Sequence, residues 1–219
     1  MSSRESEMKY IIMCGGEYPE WDKPRHLTKI CGEPIVKRTI RLLRENGVKD
    51  IAVTANDKKQ FRGLGVPVLS HDNSYVMGSD GAWVNAFYPI DEPACYLFGD
   101  VVFSPEAIRT IVETETDGIQ FFASSPPFSE LYTKPWAEPF AFKVVDQVRF
   151  RMAVNFIRTF KDSDIFNRHP IAWELWQAIN SENVKTINFR NYIAINDYTC
   201  DIDDPGDAEK IERMIKTWT

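Results

Sequence analysis

The chain alternates short, wholly apolar runs with longer segments whose apolar residues recur every three or four positions. Tyr10 to Met13 is the first apolar run and predicts a buried strand, which breaks at Gly15-Gly16 into a loop carrying Lys23, Arg25 and Lys29. Pro34 to Asn46 then reads as a helix. Pro34 suits its first turn, Val36, Ile40 and Leu43 share one face, and Gly47 stops it. A second strand is expected over Asp50 to Ala55 and a third over Val66 to Leu69, with a short polar connector between them. This β-α-β-α-β opening favours an α/β fold in which helices cover both faces of a doubly wound, mostly parallel mixed sheet.

The same reading continues along the chain. Asp72 to Gly81 is a polar loop, and Ala82 to Tyr88 has a helical pattern. Cys95 to Phe98 is a strand that stops at Gly99-Asp100, followed by a helix over Pro105 to Glu113 with Ser104 as its cap. Strands are expected over Ile119 to Ala123, Phe140 to Val145 and Lys185 to Phe189, and helices over Gln147 to Phe160 and Ile171 to Ile179. Ser124 to Glu138, rich in proline, is an irregular excursion. The last helix is expected over Pro205 to Thr217, capped by Asp204. With no repeat or linker in view, residues 8–219 are expected to form one domain behind a polar, disordered tail, residues 1–7.

Composition narrows the class. At 219 residues the chain can bury a sizeable core without disulfides. A net charge of −6 argues against a nucleic-acid surface. The four cysteines, Cys14, Cys31, Cys95 and Cys200, lack metal-ligand spacing and fit buried thiols in a reducing cytoplasm. No apolar run reaches the length of about 18 residues that a membrane span needs.

The candidate chemistry gathers at strand ends. Gly15 and Gly16, with Met13 and Cys14 before them, let the backbone approach phosphates at the carboxyl edge of the sheet, and Lys23 and Arg25 would offset their charge. Asp100 follows a buried strand and a glycine, where a metal-binding carboxylate is useful; the alternative is a solvated turn aspartate. Asp201 and Asp203 share one face of an extended segment, and either could add a second oxygen ligand. Mg²⁺ needs only one or two carboxylates beside substrate phosphates. Tyr132, Trp136, Glu138, His169, Trp173 and Trp176 are candidates for an acceptor pocket, against the plainer reading of the aromatic ones as core.

These motifs together resemble the nucleotidyltransferases of GT-A-like, Rossmann-like fold. The counterparts of the family's opening are Ile11 to Gly16, then Pro24-Arg25-His26-Leu27, then Gly32-Glu33-Pro34-Ile35. Gly78-Ser79-Asp80-Gly81-Ala82 is similar to the segment beside the base and sugar, and Phe98-Gly99-Asp100 to the Gly-Asp metal motif. Asp201 to Asp207 is similar to the closing Asp-Ile-Asp-Thr-Pro-Glu-Asp segment. The resemblance implies transfer of a nucleoside monophosphate, cytidylyl by analogy with compact members, from a triphosphate to a phosphorylated sugar or small alcohol. It implies Mg²⁺ held by Asp100 and Asp203 and catalytic help from Lys23 and Arg25; the charge and the lack of a long apolar run add the expectation of no nucleic-acid or membrane partner, with homo-oligomerisation open. Two departures stand out: the loop after Gly16 is short and lacks Gly-x-Arg, and Arg25 replaces the signature lysine. The competing readings are a nucleotide-sugar glycosyltransferase of related fold and a non-catalytic nucleotide-binding homologue.

Overall fold

The computed structural model describes residues 8–16, 21–71, 81–126 and 137–218. The expected disordered tail, residues 1–7, lies outside them. In chain order the strands are β1 (Lys9–Met13), β2 (Lys29–Ile30), β3 (Glu33–Pro34), β4 (Ile51–Ala55), β5 (Val68–Ser70), β6 (Ala94–Phe98), β7 (Val101–Val102), β8 (Ile119–Ala123), β9 (Pro139–Val144), β10 (Ile193–Ala194) and β11 (Cys200–Asp201). The helices are α1 (Ile35–Glu45), α2 (Pro105–Glu113), α3 (Gln147–Phe160), α4 (Ala172–Ile179) and α5 (Asp207–Trp218).

Seven strands form one sheet in the order β10-β8-β9-β6-β1-β4-β5. β1 lies at its middle, parallel to β4 on one side and β6 on the other. β9 runs antiparallel to both β6 and β8, so the sheet is mixed but mostly parallel. The central strands are buried on both faces, which is why they read as unbroken apolar runs rather than alternating ones. The β9 side packs aromatic against aromatic: Phe121 stacks on Phe142 at 4.4 Å, and Trp173 meets Phe121 edge-on at 4.9 Å. Each such buried ring contributes roughly 1.5–3 kcal/mol by leaving water.

A second, smaller core matters more for function. Ile30, Ile35, Val102, Cys200, Ile202 and Ile211 pack together, with Trp21, Ala208 and Ile215 at its edge. It clamps the β2–β3 hairpin, the β7–β11 ribbon and α5 into one body. The hairpin turns through Cys31 and Gly32, both at positive φ (50° and 83°), as a tight two-residue turn requires.

Several expectations are corrected. Residues 185–189 form no strand; the edge strand is β10 instead. The cause is Gln177, whose side chain donates to the carbonyls of Asn183 and Thr186 and accepts from the Asn188 amide at 2.7 Å. The segment's main-chain groups are thus satisfied without a sheet neighbour. Helix over Ala82 to Tyr88 shrinks to a 3₁₀ turn, Trp83–Ala86. α5 starts at Asp207, not Pro205, and the Asp207 carboxylate accepts from the amides of Asp203 and Asp204, at 3.2 and 2.9 Å. No helix among the described residues is long and apolar enough to cross a membrane.

Candidate active site

The site forms where β1 and β6 end together. Met13 pairs with Phe98, and the Gly99 amide donates to the Met13 carbonyl at 3.0 Å. A Cβ at Gly99 would lie 2.3 Å from that carbonyl oxygen and 2.7 Å from Cys14 Sγ. Only glycine lets the chain turn so close to β1, and the turn delivers Asp100 to the mouth of the glycine loop.

Asp203 arrives from the other end of the sequence. β11 pairs with β7, and the Ile202 amide donates to the Asp100 carbonyl at 3.1 Å, which sets the two acidic segments side by side. A polar buttress stands behind them. Ser104 donates its hydroxyl to Asp197, whose other oxygen accepts from the Thr199 amide at 2.7 Å. Arg38 ties the Phe103 carbonyl to the Tyr198 hydroxyl, at 3.2 and 2.9 Å.

Arg25 closes the group. It opens a 3₁₀ turn, Arg25–Leu27, and is buried. One guanidinium nitrogen contacts Asp100; the other donates to Asp203 at 3.3 Å and to the Ile202 carbonyl at 3.0 Å. The two aspartates, far apart in sequence, therefore converge on one cation beside Gly15. Of the three basic residues of this loop, only Arg25 turns inward; Lys23 and Lys29 are exposed.

A cavity of about 410 Å³ opens over this group. Met13, Gly15, Arg25, Asp100, Glu138, Trp173, Asp201 and Asp203, all singled out in the sequence, line it. A second cavity, about 450 Å³, lies on the other side of the loop and takes in Cys14, Gly16 and Lys23. His169 and Gly81 line neither cavity. Gly78, Ser79, Asp80, Tyr132 and Trp136 lie outside the described residues. Trp176 belongs to the core, its ring nitrogen donating to the Arg190 carbonyl at 3.1 Å. Trp173 is both: buried, anchored to the Ala137 carbonyl at 2.8 Å, and edging the cavity.

Sequence reading missed Trp83 and Arg168 on the first cavity and Asn56, Asp57 and Gln60 on the second. Asn56 and Asp57 had a findable signal, since they follow the end of a parallel strand next to β1. Trp83 had one as well, since it directly follows the Gly78-to-Ala82 segment; Arg168 had none.

The site's electrostatics are uneven. Burial, then the nearby Glu138, Asp203 and Asp100 carboxylates, push Asp201 well above the usual carboxylate range, with Arg25 opposing. Burial lowers His26 to about 4, Asp100 partly offsetting this, so its ring is neutral at physiological pH. Burial, reinforced by Asp100, raises the Cys14 thiol well above its ordinary value.

A sheet whose central strand feeds a glycine loop, flanked by a Gly-Asp turn, is a nucleotide-binding arrangement. The sequence profile of the MobA-like NTP transferase domain matches residues 10–140. The chain belongs to that family. No curated protein sequence matches it. Among solved structures, the transferase is similar to a Bacillus anthracis protein named as a glucose-1-phosphate thymidylyltransferase and solved in complex with a sucrose. The two share 16% identity over 94% of each chain, with a TM-score of 0.60, a likeness of fold. The seven-stranded mixed sheet is thus that of a GT-A-like nucleotidyltransferase.

Nucleotidyltransferases of this family generally use a divalent metal. The donor chemistry here fits one: Asp100 and Asp203 present hard carboxylate oxygens to a shared cationic point, held in this structure by the Arg25 guanidinium. Among the described residues no group of three or more His, Cys, Asp or Glu side chains is arranged to hold a metal.

Proposed function

We propose that this nucleotidyltransferase moves a nucleoside monophosphate, CMP by preference, from a triphosphate to a phosphorylated sugar or small alcohol and releases pyrophosphate. The observation that supports it most is the meeting of Asp100, Asp203 and Arg25 at the floor of a cavity edged by Gly15. An acceptor phosphate oxygen attacks the α-phosphorus; that P–O bond forms as the bond to the β-phosphate oxygen breaks. The acceptor phosphate is already ionised at neutral pH, so the protein needs no general base, and its task is positioning and charge stabilisation.

In this reading the Gly15-Gly16 backbone receives the triphosphate, and Lys23 and Arg25 hold its outer phosphates. Asp100 and Asp203 would hold Mg²⁺, which would neutralise the charge that develops on the phosphates. Trp83, Trp173 and Arg168 form the acceptor wall, with Arg168 fixed by Glu174 at 2.7 Å. His26, neutral, contributes shape rather than charge. Work in the cytoplasm, where triphosphates are made, goes with this assignment.

The test is pyrophosphate release, measured for CTP, dTTP, UTP, GTP and ATP against a panel of sugar 1-phosphates, polyol phosphates and amino-alcohol phosphates. Release with CTP and one acceptor class is the expected result. Release with dTTP alone would transfer the activity named for the B. anthracis protein to this chain and overturn the base assignment. Consumption of nucleotide sugars without pyrophosphate would overturn the reaction class.

A further inference from the structure

The metal pair is already spoken for. Arg25 sits across both carboxylates at once, contacting Asp100 with one nitrogen and Asp203 with the other, and a third bond to the Ile202 carbonyl fixes its plane. A guanidinium fork can span two carboxylates in this way; a lysine ammonium, a point charge on a flexible stem, cannot do so with the same fixity. The segments that carry the two carboxylates are held by their main chain. Asp100 rides on the Gly99 turn packed against Met13, and Asp203 is tied through its amide to Asp207. The Arg25 backbone is held as well, its carbonyl accepting from the Thr28 amide at 2.9 Å. What can move is the long side chain.

We infer that Arg25 is a built-in counter-ion that excludes divalent metal from the nucleotide-free site and gives the carboxylates up only when a nucleotide's phosphates offer its guanidinium a new partner. A divalent ion drawn to this pair meets the guanidinium's positive charge at contact range, so metal entering alone is opposed by like-charge repulsion or must displace the guanidinium from Asp100 and Asp203. With a triphosphate present, the phosphates take the guanidinium and the metal takes the carboxylates in one exchange. Metal and nucleotide are therefore coupled, each raising the other's affinity by the same factor. The trigger rests on the transferase reading above; exclusion of metal from the free protein does not.

The test is binding of Mn²⁺ alone, followed by electron paramagnetic resonance, to wild type, Arg25→Gln and Arg25→Gln/Asp203→Asn. Arg25→Gln is expected to bind Mn²⁺ about tenfold or more tightly than wild type, and the double variant to lose that gain. The melting temperature of Arg25→Gln should rise with Mn²⁺ while that of wild type stays nearly constant. Adding the α,β-methylene analogue of each triphosphate should bring wild type up to the single variant's Mn²⁺ affinity with the preferred base. If Arg25→Gln does not fold, Arg25→Lys replaces it and is expected to bind Mn²⁺ more tightly than wild type. Equal affinity of wild type and variant for Mn²⁺ in the absence of nucleotide would overturn the inference and leave the transferase reading standing. A wild type that excludes Mn²⁺ yet binds none of the analogues would sink the transferase reading and leave the exclusion intact.

Discussion

The two aspartates that meet at Arg25 are seated by opposite means. Asp100 is placed by main chain: a buried strand in register with β1, a glycine pressed against the Met13 carbonyl, and a single residue's advance from there. Asp203 is placed largely by side chains: a two-residue ribbon, the Ser104–Asp197–Thr199 buttress, the Arg38–Tyr198 tie and the Asp207 carboxylate. Its side chain is 46% exposed, against 17% for Asp100. A seat built from backbone and core tolerates little change and moves little. A seat built from polar side chains can be loosened one bond at a time, which suits the partner that has to exchange one cation for another.

The largest effect separates chemistry from fold. Asp100→Ala is expected to cut pyrophosphate release by about 10²–10³-fold while the circular dichroism spectrum and melting curve persist. Near-normal turnover would remove Asp100 from the site. Gly99→Ala attacks the same seat from behind. Its Cβ has no room, so a loss of about 3 kcal/mol is expected in urea denaturation, whereas Gly206→Ala, with open space around it, serves as a near-neutral control.

Acid reads the ground between the seats. His26 has its pKa lowered to about 4, while in the unfolded chain it takes a proton near 6.5. Between those values the unfolded state binds more protons than the native state, so this contribution is whole above pH 6.5 and drains away as pH falls toward 4. At full depth the loss is on the order of 3 kcal/mol. Asp201, raised by burial, works in the other direction, so the informative quantity is a difference. His26→Gln should show a smaller fall in urea midpoint between pH 7 and 4.5 than wild type. The smallest effect belongs to the second seat: Asp197→Ala should cost about 2 kcal/mol by leaving the Thr199 amide without its acceptor. Because the change slackens Asp203, turnover should fall more steeply with decreasing Mg²⁺ than it does in wild type.

The same contrast explains what could be read from the sequence. α2, β8 and α3 have the boundaries expected of them, since local signals set them: Ser104 and Asp146 cap their helices, accepting from the amides of Ala107 and Arg149, each at 2.9 Å. The Gly-Asp turn was legible for the same reason. That Asp203 would reach Asp100 followed from the motif's resemblance, not from any local property, for its seat is made of residues from three separate stretches of the chain. The absent strand at 185–189 is the converse case, a pattern apolar enough for a sheet and captured instead by one glutamine. The loop offers Arg25 as a phosphate ligand, but its position across the two carboxylates depends on partners at residues 100 and 203 and is not legible in the loop that carries it.

The four thiols supply a clock for this machinery. Cys31, at the exposed tip of its hairpin, would be alkylated at once, whereas Cys14 is buried at the edge of the second cavity, Cys95 inside the sheet and Cys200 beneath α5. Burial keeps the Cys14 sulfur protonated and slow to react. A time course of alkylation by mass spectrometry would report how often each buried thiol becomes accessible, residue by residue, without a probe ever being attached to the nucleotide.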